Sequence, residues 1–407
     1  MHDSSIFRIK IDFEKSHDSY IFDKKTRRYF LDFFGMYSSL PLGYSHQIFK
    51  GNDFRKEYSR IAAIKVPNCE IISDEAEEFL REFSGCKEMS GYKYFHFCCT
   101  GALGIEAAIK TAMDQKAAKR PMVISLRESF HGINSYGGFV TDRFSPVNAR
   151  LNGFPGMGWR KIHNPKIIYK AGKIDEKSTR KGLDKFIAEF NSCIKEYGVK
   201  NIVALLIEPV QSTYGDNYFP QNFFKLIRKF CSKDNICLIF DEIQIGFGTT
   251  GKMWYFQHAG IEPDIVVFGK KAQVSGIMVK EKLSKIFKVP VRLEVTWDGD
   301  LIDMVRAKFI LRAYKKYRIL DNVNERSRQL VEGLKNIAKI ENVRAAGLLA
   351  AFDFKTKVDR DRFFCNALSN RFLCNKTRDK TIRFRPNLNL SSQEVKEALK
   401  IVKQSVK

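Results

Sequence analysis

No stretch of this 407-residue chain approaches the roughly 18 consecutive apolar residues that a membrane-spanning helix requires. The amino terminus, MHDSSIFRIKIDFEK, has neither the apolar core nor the small-residue cleavage site of a secretory leader, so a cytoplasmic protein with no membrane partner is expected. Cysteine occurs nine times, but no CxxC pair or metal-like spacing organises it. Cys98 and Cys99 adjoin, and Cys231 and Cys237 flank a predicted strand. Reduced, mostly buried thiols are expected, with neither a disulfide framework nor a metal centre. Internal repeats and low-complexity linkers are lacking too. Acidic residues are few, 46 against 70 lysines and arginines, for a net charge of +24. Such a balance invites a nucleic-acid reading. Yet the positive charge is spread over the whole chain. Its densest run is Lys24, Lys25, Arg27 and Arg28 beside Tyr29 and Phe30, with no RNP, zinc-finger or helix-turn-helix pattern near it. A lysine-rich surface accounts for the charge as well, and no nucleic-acid partner is expected.

What is present is a chain that is 44% hydrophobic and long enough for about two cores. Short runs rich in β-branched and aromatic residues alternate with helical patterns, which argues for an α/β fold with a mostly parallel sheet. The predicted strands are Tyr94–Cys98, Met122–Ser125, Val203–Glu208, Ile236–Phe240 and Ile265–Phe268. Ala102, Ile105, Ile109 and Ala112/Met113 recur at helical spacing over Ala102–Gln115, and Phe223–Ser232 is a second helix. Beyond residue 300 the texture changes. Ile302–Tyr317 and Asn324–Ala338 read as helices, Leu348–Phe354 and Thr381–Phe384 as strands, and a last helix starts at Ser392, which together suggest a smaller α+β domain. Arg143–Asn164, with Pro146 and Pro155, reads as an irregular loop. The expected division is an N-terminal segment, 1–60, that contributes to the small domain, a large domain at 61–290, and the rest of the small domain at 291–407.

Two strand ends carry the strongest local signal. One strand ends in IFDEIQ and delivers Asp241 and Gln244; the other ends in PDIVVFGKK and delivers Lys270 or Lys271. Ligands of open α/β sheets bind beyond the carboxyl ends of strands, and a carboxylate facing a lysine there suits pyridoxal phosphate (PLP) chemistry. The same residues also fit solvated charges or an ion pair. In CCTGALGIEAAIK a strand passes through Thr100-Gly101-Ala102 into a helix, so small residues expose backbone N–H groups at a helix N-terminus. A phosphate cup and an ordinary tight turn both fit. Phe130-His131-Gly132 follows another strand, where an aromatic ring stacks on a planar cofactor or packs as plain core beside a satisfied histidine.

From about Tyr29 onward the chain resembles the class III (ω-)aminotransferases of PLP fold type I, and among them the lysine ε-aminotransferases most. The segments IEPVQSTYGDNYFPQNFFKLIRKFC, LIFDEIQIGFGTTG, PDIVVFGKKAQVSG, VTWDGDLIDMVRA and IRFRPNL carry the likeness, in order. The resemblance implies a large domain with a seven-stranded, mostly parallel sheet and a smaller α+β domain. It also implies a homodimer with shared active sites, and transfer of the terminal amino group of lysine or a similar ω-amine to an oxo-acid such as 2-oxoglutarate. By position it makes Lys270 the Schiff-base lysine and Asp241 the partner of the pyridine nitrogen. Ile243 packs on the ring, Gln244 lies near the phenolic oxygen, Gly101 and Ala102 form the phosphate turn, and Phe130 stacks on the ring beside His131. Thr296 reaches the neighbouring subunit's phosphate. Arg383 in IRFRP anchors the α-carboxylate, with Arg385 as its substitute if the register slips.

Substrate positions depart from the pattern. Ile133 stands where an arginine usually follows FHG to bind a distal carboxylate, and an aliphatic side chain cannot replace that bidentate contact. Thr213 stands at a glutamate position and Tyr214 at a glycine position. Altered donor or acceptor use is therefore expected on retained PLP machinery, with Arg127 or Arg143 as candidate replacement guanidiniums. A degenerate PLP-binding relative with little turnover is the remaining alternative.

Overall fold

The computed structural model describes residues 7–67, 71–142, 153–154, 156–170 and 172–406. The chain divides into two compact units. The larger comprises Arg60–Phe247 and Lys252–Leu311; the smaller comprises Met1–Ser59, Gly248–Gly251 and Arg312–Lys407.

The larger unit is built on a seven-stranded sheet. In chain order its strands are β1 (Tyr94–Cys98), β2 (Met122–Leu126), β3 (Lys161–Ile162), β4 (Ile202–Ile207), β5 (Cys237–Asp241), β6 (Ile265–Phe268) and β7 (Ser275–Val279). Across the sheet they run β1-β7-β6-β5-β4-β2-β3. Every pairing is parallel except the two made by β7. Two reversals cancel, so β1 points the same way as β6. β2, β4, β5 and β6 are buried along their whole length, as strands covered on both faces must be, which is why they read as nearly continuous apolar runs. Helix Gln221–Lys233 buries Phe223, Phe224, Ile227 and Cys231 along one stripe, while its lysines stay out. Helix Gly101–Lys116 comes closer to the sheet, because a Cβ on Gly104 would lie 2.9 Å from Val267 Cγ1 and 3.3 Å from the Gly276 carbonyl.

The predicted strands and helices lie where the pattern placed them, within a few residues at their ends. Several elements were not anticipated, among them these three. Strand β7 is five residues long and contains Gly276, helix Glu176–Tyr197 is capped by Asp175, and β3 is only two residues long. β3 corrects the loop reading of Arg143–Asn164 at its end; residues 143–152 and 155 lie outside the described residues.

The expected boundary at 290/291 is also corrected. Residues 291–311 pack with the large unit, since Lys308 is fully buried in an ion pair with Glu78, Arg306 Nε donates to Gln273 Oε1 at 2.6 Å, and Gly299 N to Phe97 O at 3.1 Å. Gly248–Gly251 joins the small unit for a steric reason. Gly248 has φ +86°, and a Cβ there would lie 2.9 Å from Leu320 and Tyr314.

The small unit holds two four-stranded sheets. One pairs Ile11–His17, Tyr20–Asp23 and Arg28–Asp32 in antiparallel fashion and adds Phe372–Leu373 in parallel. Ile21, Phe30, Phe34, Tyr44 and Leu373 form its core. The other runs Glu341–Ala346, Leu349–Asp353, Thr381–Phe384, Asn375–Thr377, all antiparallel. The final helix, Ser392–Ser405, starts in a capping box made by Ser391 and Glu394. No helix among the described residues is long and apolar enough to cross a membrane.

Candidate active site

Four parallel strands deliver their next residues to one edge of the large sheet. Past β2 come Phe130 and His131, past β4 Glu208 and Val210, at the end of β5 Asp241 and then Ile243 and Gln244, and past β6 Lys270. β1 leaves at the same edge and turns at Thr100 into helix Gly101–Lys116. These residues, with Gly101, Ala102, Gly132 and Ile245, line one cavity of about 260 Å³ in the large unit. A parallel sheet puts all its carboxyl ends on one side, which is how residues up to 169 positions apart meet here.

Each wall has a local cause. The Thr100 hydroxyl caps the helix by accepting from Leu103 N at 3.3 Å, and Gly101 and Ala102, whose N–H groups open the helix and have no intrahelical acceptors, line the cavity. Gly101 must be glycine-sized: a Cβ would lie 2.8 Å from Ile243 Cδ1. Lys270 sits at φ +49°, a left-handed conformation that costs a lysine about 1–2 kcal/mol. The tight turn Lys270–Ala272 holds it there.

Electrostatics separate the buried acids. Asp241 Oδ2 lies 2.8 Å from His131 Nδ1, and Oδ1 accepts from Ile243 N at 3.1 Å. His131 is fully buried, and its Nε2 has no hydrogen-bond partner among the described residues. Glu208 accepts from Phe130 N at 2.8 Å, yet burial, reinforced by the charge of Asp241, lifts its carboxyl well above the usual range. Burial thus favours the protonated form of Glu208. Glu242 faces away, accepting from Tyr255 N and Phe256 N at 2.5 and 2.9 Å; burial pushes its pKa up to about 8.

Eight of the nine residues expected to bind the cofactor are in this lining: Gly101, Ala102, Phe130, His131, Asp241, Ile243, Gln244 and Lys270. Thr296 is not; it is exposed on the segment that leads to helix Leu301–Lys316. Of the expected substrate residues, Ile133 is 64% exposed, next to the lining residue Gly132. Thr213 and Tyr214 are half-buried; Gln244 Nε2 donates to Thr213 Oγ1 at 2.7 Å, and Lys166 Nζ stands 5.8 Å from the centroid of the Tyr214 ring. Arg383 lies in the small unit, buried on Thr381–Phe384, and Arg385 donates from Nη1 to Phe384 O at 2.7 Å. Arg127 is turned to Glu189 at 3.3 Å, and Arg143 lies outside the described residues.

Glu208, Val210 and Ile245 are lining residues the sequence did not single out. Glu208 had the same signal as Asp241, a carboxylate at the end of an apolar strand.

The family described as Aminotransferase class-III matches this chain over residues 3–406. The chain belongs to the class III aminotransferases. The L-lysine-epsilon aminotransferase of Mycobacterium tuberculosis (strain ATCC 25618 / H37Rv) is 30% identical over 418 residues, 98% of this chain and 92% of that protein. That of Streptomyces clavuligerus is 28% identical over 423 residues, 98% and 91%. Among solved structures, lysine aminotransferase from M. tuberculosis in the internal aldimine form superposes with a TM-score of 0.93 at 29% identity, covering 100% of this chain and 96% of that one. As a class III enzyme this aminotransferase is a PLP-dependent transaminase of fold type I. The cavity fits the cofactor by the chemistry of its donors: an amine for the aldehyde, a carboxylate for the ring nitrogen, and a helix N-terminus for the phosphate.

Proposed function

We propose that this aminotransferase takes the terminal amino group of L-lysine or a similar ω-amine and passes it to an oxo-acid such as 2-oxoglutarate. The observation that carries the reading is full-length likeness to lysine ε-aminotransferases at 28–30% identity, joined to a cavity that holds Lys270 and Asp241 on adjacent strand ends.

PLP, when bound, supplies an electron-accepting ring. Lys270 would hold it covalently and would take and return the proton of the substrate's amine-bearing carbon. Asp241, braced by His131, would pair with the ring nitrogen, and burial favours the protonated form of Glu208 beside it. Phe130 and Ile243 would flank the ring, Gln244 would serve the phenolic oxygen, and Gly101 and Ala102 would take the phosphate. Arg383 is proposed as the α-carboxylate anchor on the family match alone. A homodimer belongs to the same proposal: Thr296, exposed in the single chain, would then serve the partner's phosphate. A cytoplasmic location completes it.

Glutamate formation from lysine and 2-oxoglutarate tests the reading. The wild type should turn over with loss of lysine's terminal amine, and Lys270→Ala should abolish it. Borohydride reduction should leave a pyridoxyl group on the Lys270 peptide. Lack of the label there refutes the site; label without lysine turnover refutes the substrate.

Ile133, Thr213 and Tyr214 favour a second reading, the same chemistry on another donor or acceptor. Faster turnover with a different amine or oxo-acid in a substrate screen would select it.

A further inference from the structure

Strand β1 alternates its side chains across the sheet. Phe95 and Phe97 point into an aromatic cluster, with ring centroids 6.0 Å from Phe83 and 5.2 Å from Phe79 respectively. His96 and Cys98 therefore share the opposite face. The segment before helix Leu301–Lys316 brings Asp298 to that face, clamped by Val295 N donating to Asp298 Oδ2 at 3.1 Å and Gly299 N donating to Phe97 O at 3.1 Å. His96 Nε2 is 3.1 Å from Asp298 Oδ2, and one ligand atom from each of His96, Cys98 and Asp298 lies within 4.8 Å of the other two. Cys98 is 3% exposed and Asp298 5%. The second carboxylate oxygen, Asp298 Oδ1, is buried and has no hydrogen-bond partner among the described residues. A buried carboxylate oxygen without a partner is costly, and an imidazole and a thiol stand beside it.

We propose that His96, Cys98 and Asp298 bind a borderline divalent transition-metal ion such as Zn²⁺. Tetrahedral zinc with bonds of about 2.0–2.3 Å sets its ligand atoms roughly 3.3–3.8 Å apart. The His96–Asp298 separation is already near that range, and the remaining contraction is on the order of 1 Å. The thiol excludes Mg²⁺ and Ca²⁺ as natural occupants, because both take hard oxygen ligands. On binding, the Cys98 proton leaves to solvent, so thiolate and carboxylate balance the ion's two charges. Asp298, Asp300 and Asp303 all act on the adjoining Cys99, so this corner is locally acidic within a chain of net charge +24, although Asp300 is also paired with Lys65 at 3.3 Å. None of the three ligands lines the cofactor cavity. The site nevertheless lies beside it along the chain. Cys98 precedes the helix-capping Thr100 by two residues, and Asp298 follows Thr296 by two. A bound ion would fasten the Thr296 segment to the strand that feeds the phosphate turn.

Chelator-treated, PLP-loaded enzyme dialysed against Zn²⁺, with metal measured per chain, tests this. Co²⁺ loading adds a second readout, visible d–d bands to the red of the cofactor absorption. One ion per chain is expected, with affinity falling on the order of ten-fold or more in Cys98→Ser and in Asp298→Asn, and unchanged in Cys99→Ser. PLP absorbance of each variant reports whether it has folded. If a variant fails to fold, the wild-type cobalt spectrum decides: tetrahedral bands with thiolate charge transfer support the site. No stoichiometric uptake, uptake that survives both ligand substitutions, or uptake lost with Cys99 instead overturns it.

Discussion

Gln244 Nε2 donates to Thr213 Oγ1 at 2.7 Å, so a cavity-lining residue is held by a residue from a segment that departs from the family pattern. A glutamate at position 213 would offer that amide a charged acceptor and bring a second negative charge to the rim. The hydroxyl keeps the acceptor and drops the charge. Thr213→Val should thus leave the Gln244 amide one acceptor short, weakening cofactor binding by about 1 kcal/mol, or about five-fold in Kd, with Thr213→Ser close to wild type. Equilibrium dialysis of PLP against the two variants measures it; equal weakening in both would show that the hydroxyl is irrelevant.

Gly101 sets how closely the phosphate turn approaches the ring site. A methyl group there meets Ile243 Cδ1 at 2.8 Å and must push it toward the cavity. Gly101→Ala is expected to weaken PLP binding by about ten-fold, and Ile243→Val, which removes the offending carbon, to recover most of it in the double variant. Failure of the second change to rescue the first would place the effect in the backbone.

Ile133 is exposed beside the cavity-lining Gly132, at the position the family resemblance assigns to a carboxylate-binding arginine. Ile133→Arg should lower KM for 2-oxoglutarate by about ten-fold and leave KM for non-carboxylate acceptors alone. An unchanged KM for both would mean that acceptor choice is made elsewhere.

Glu242 ties folding to pH. Its carboxyl rises from 4.5 in the unfolded chain to about 8 in the folded one, so across that interval the native state holds a proton that the unfolded state has released. The stabilisation is complete below about pH 4.5 and is lost as pH rises through about 8. Glu242→Gln, which cannot ionise, should show a smaller drop in unfolding free energy between about pH 5 and about pH 8 than the wild type. Parallel urea titrations at both ends of the window give the comparison.

Much of this site was legible because parallel strands write themselves plainly. IVALLI, CLIF and IVVF are unbroken apolar runs, and the first residues after each run are where chemistry belongs. Asp241 and Lys270 were found that way, and Glu208 was open to the same logic. The helix carrying Gly101 was visible from its 3.6-residue spacing. What stayed hidden depends on long-range pairing. β7 is short and contains Gly276, whose Cβ would lie 2.2 Å from the His96 carbonyl; its place between β1 and β6 is a tertiary fact with no local signature. The His131–Asp241 bond spans 110 residues and the His96–Asp298 pair 202, distances over which spacing rules say nothing. The boundary at residue 311 was missed for a related reason, since the buried amine of Lys308 looks in sequence like one more surface lysine.

The reversed strand also sets an order of events. Because β1 joins the sheet only through β7, residues 94–98 have no neighbour in the sheet until 275–279 have been synthesised and threaded beside β6. Closing a span that long is slow and contributes late to folding. A nascent chain stopped short of Ser275 is expected to assemble the central strands yet capture no vitamin B6. Coenzyme uptake on the ribosome would then be a timer for how much of the polypeptide has emerged.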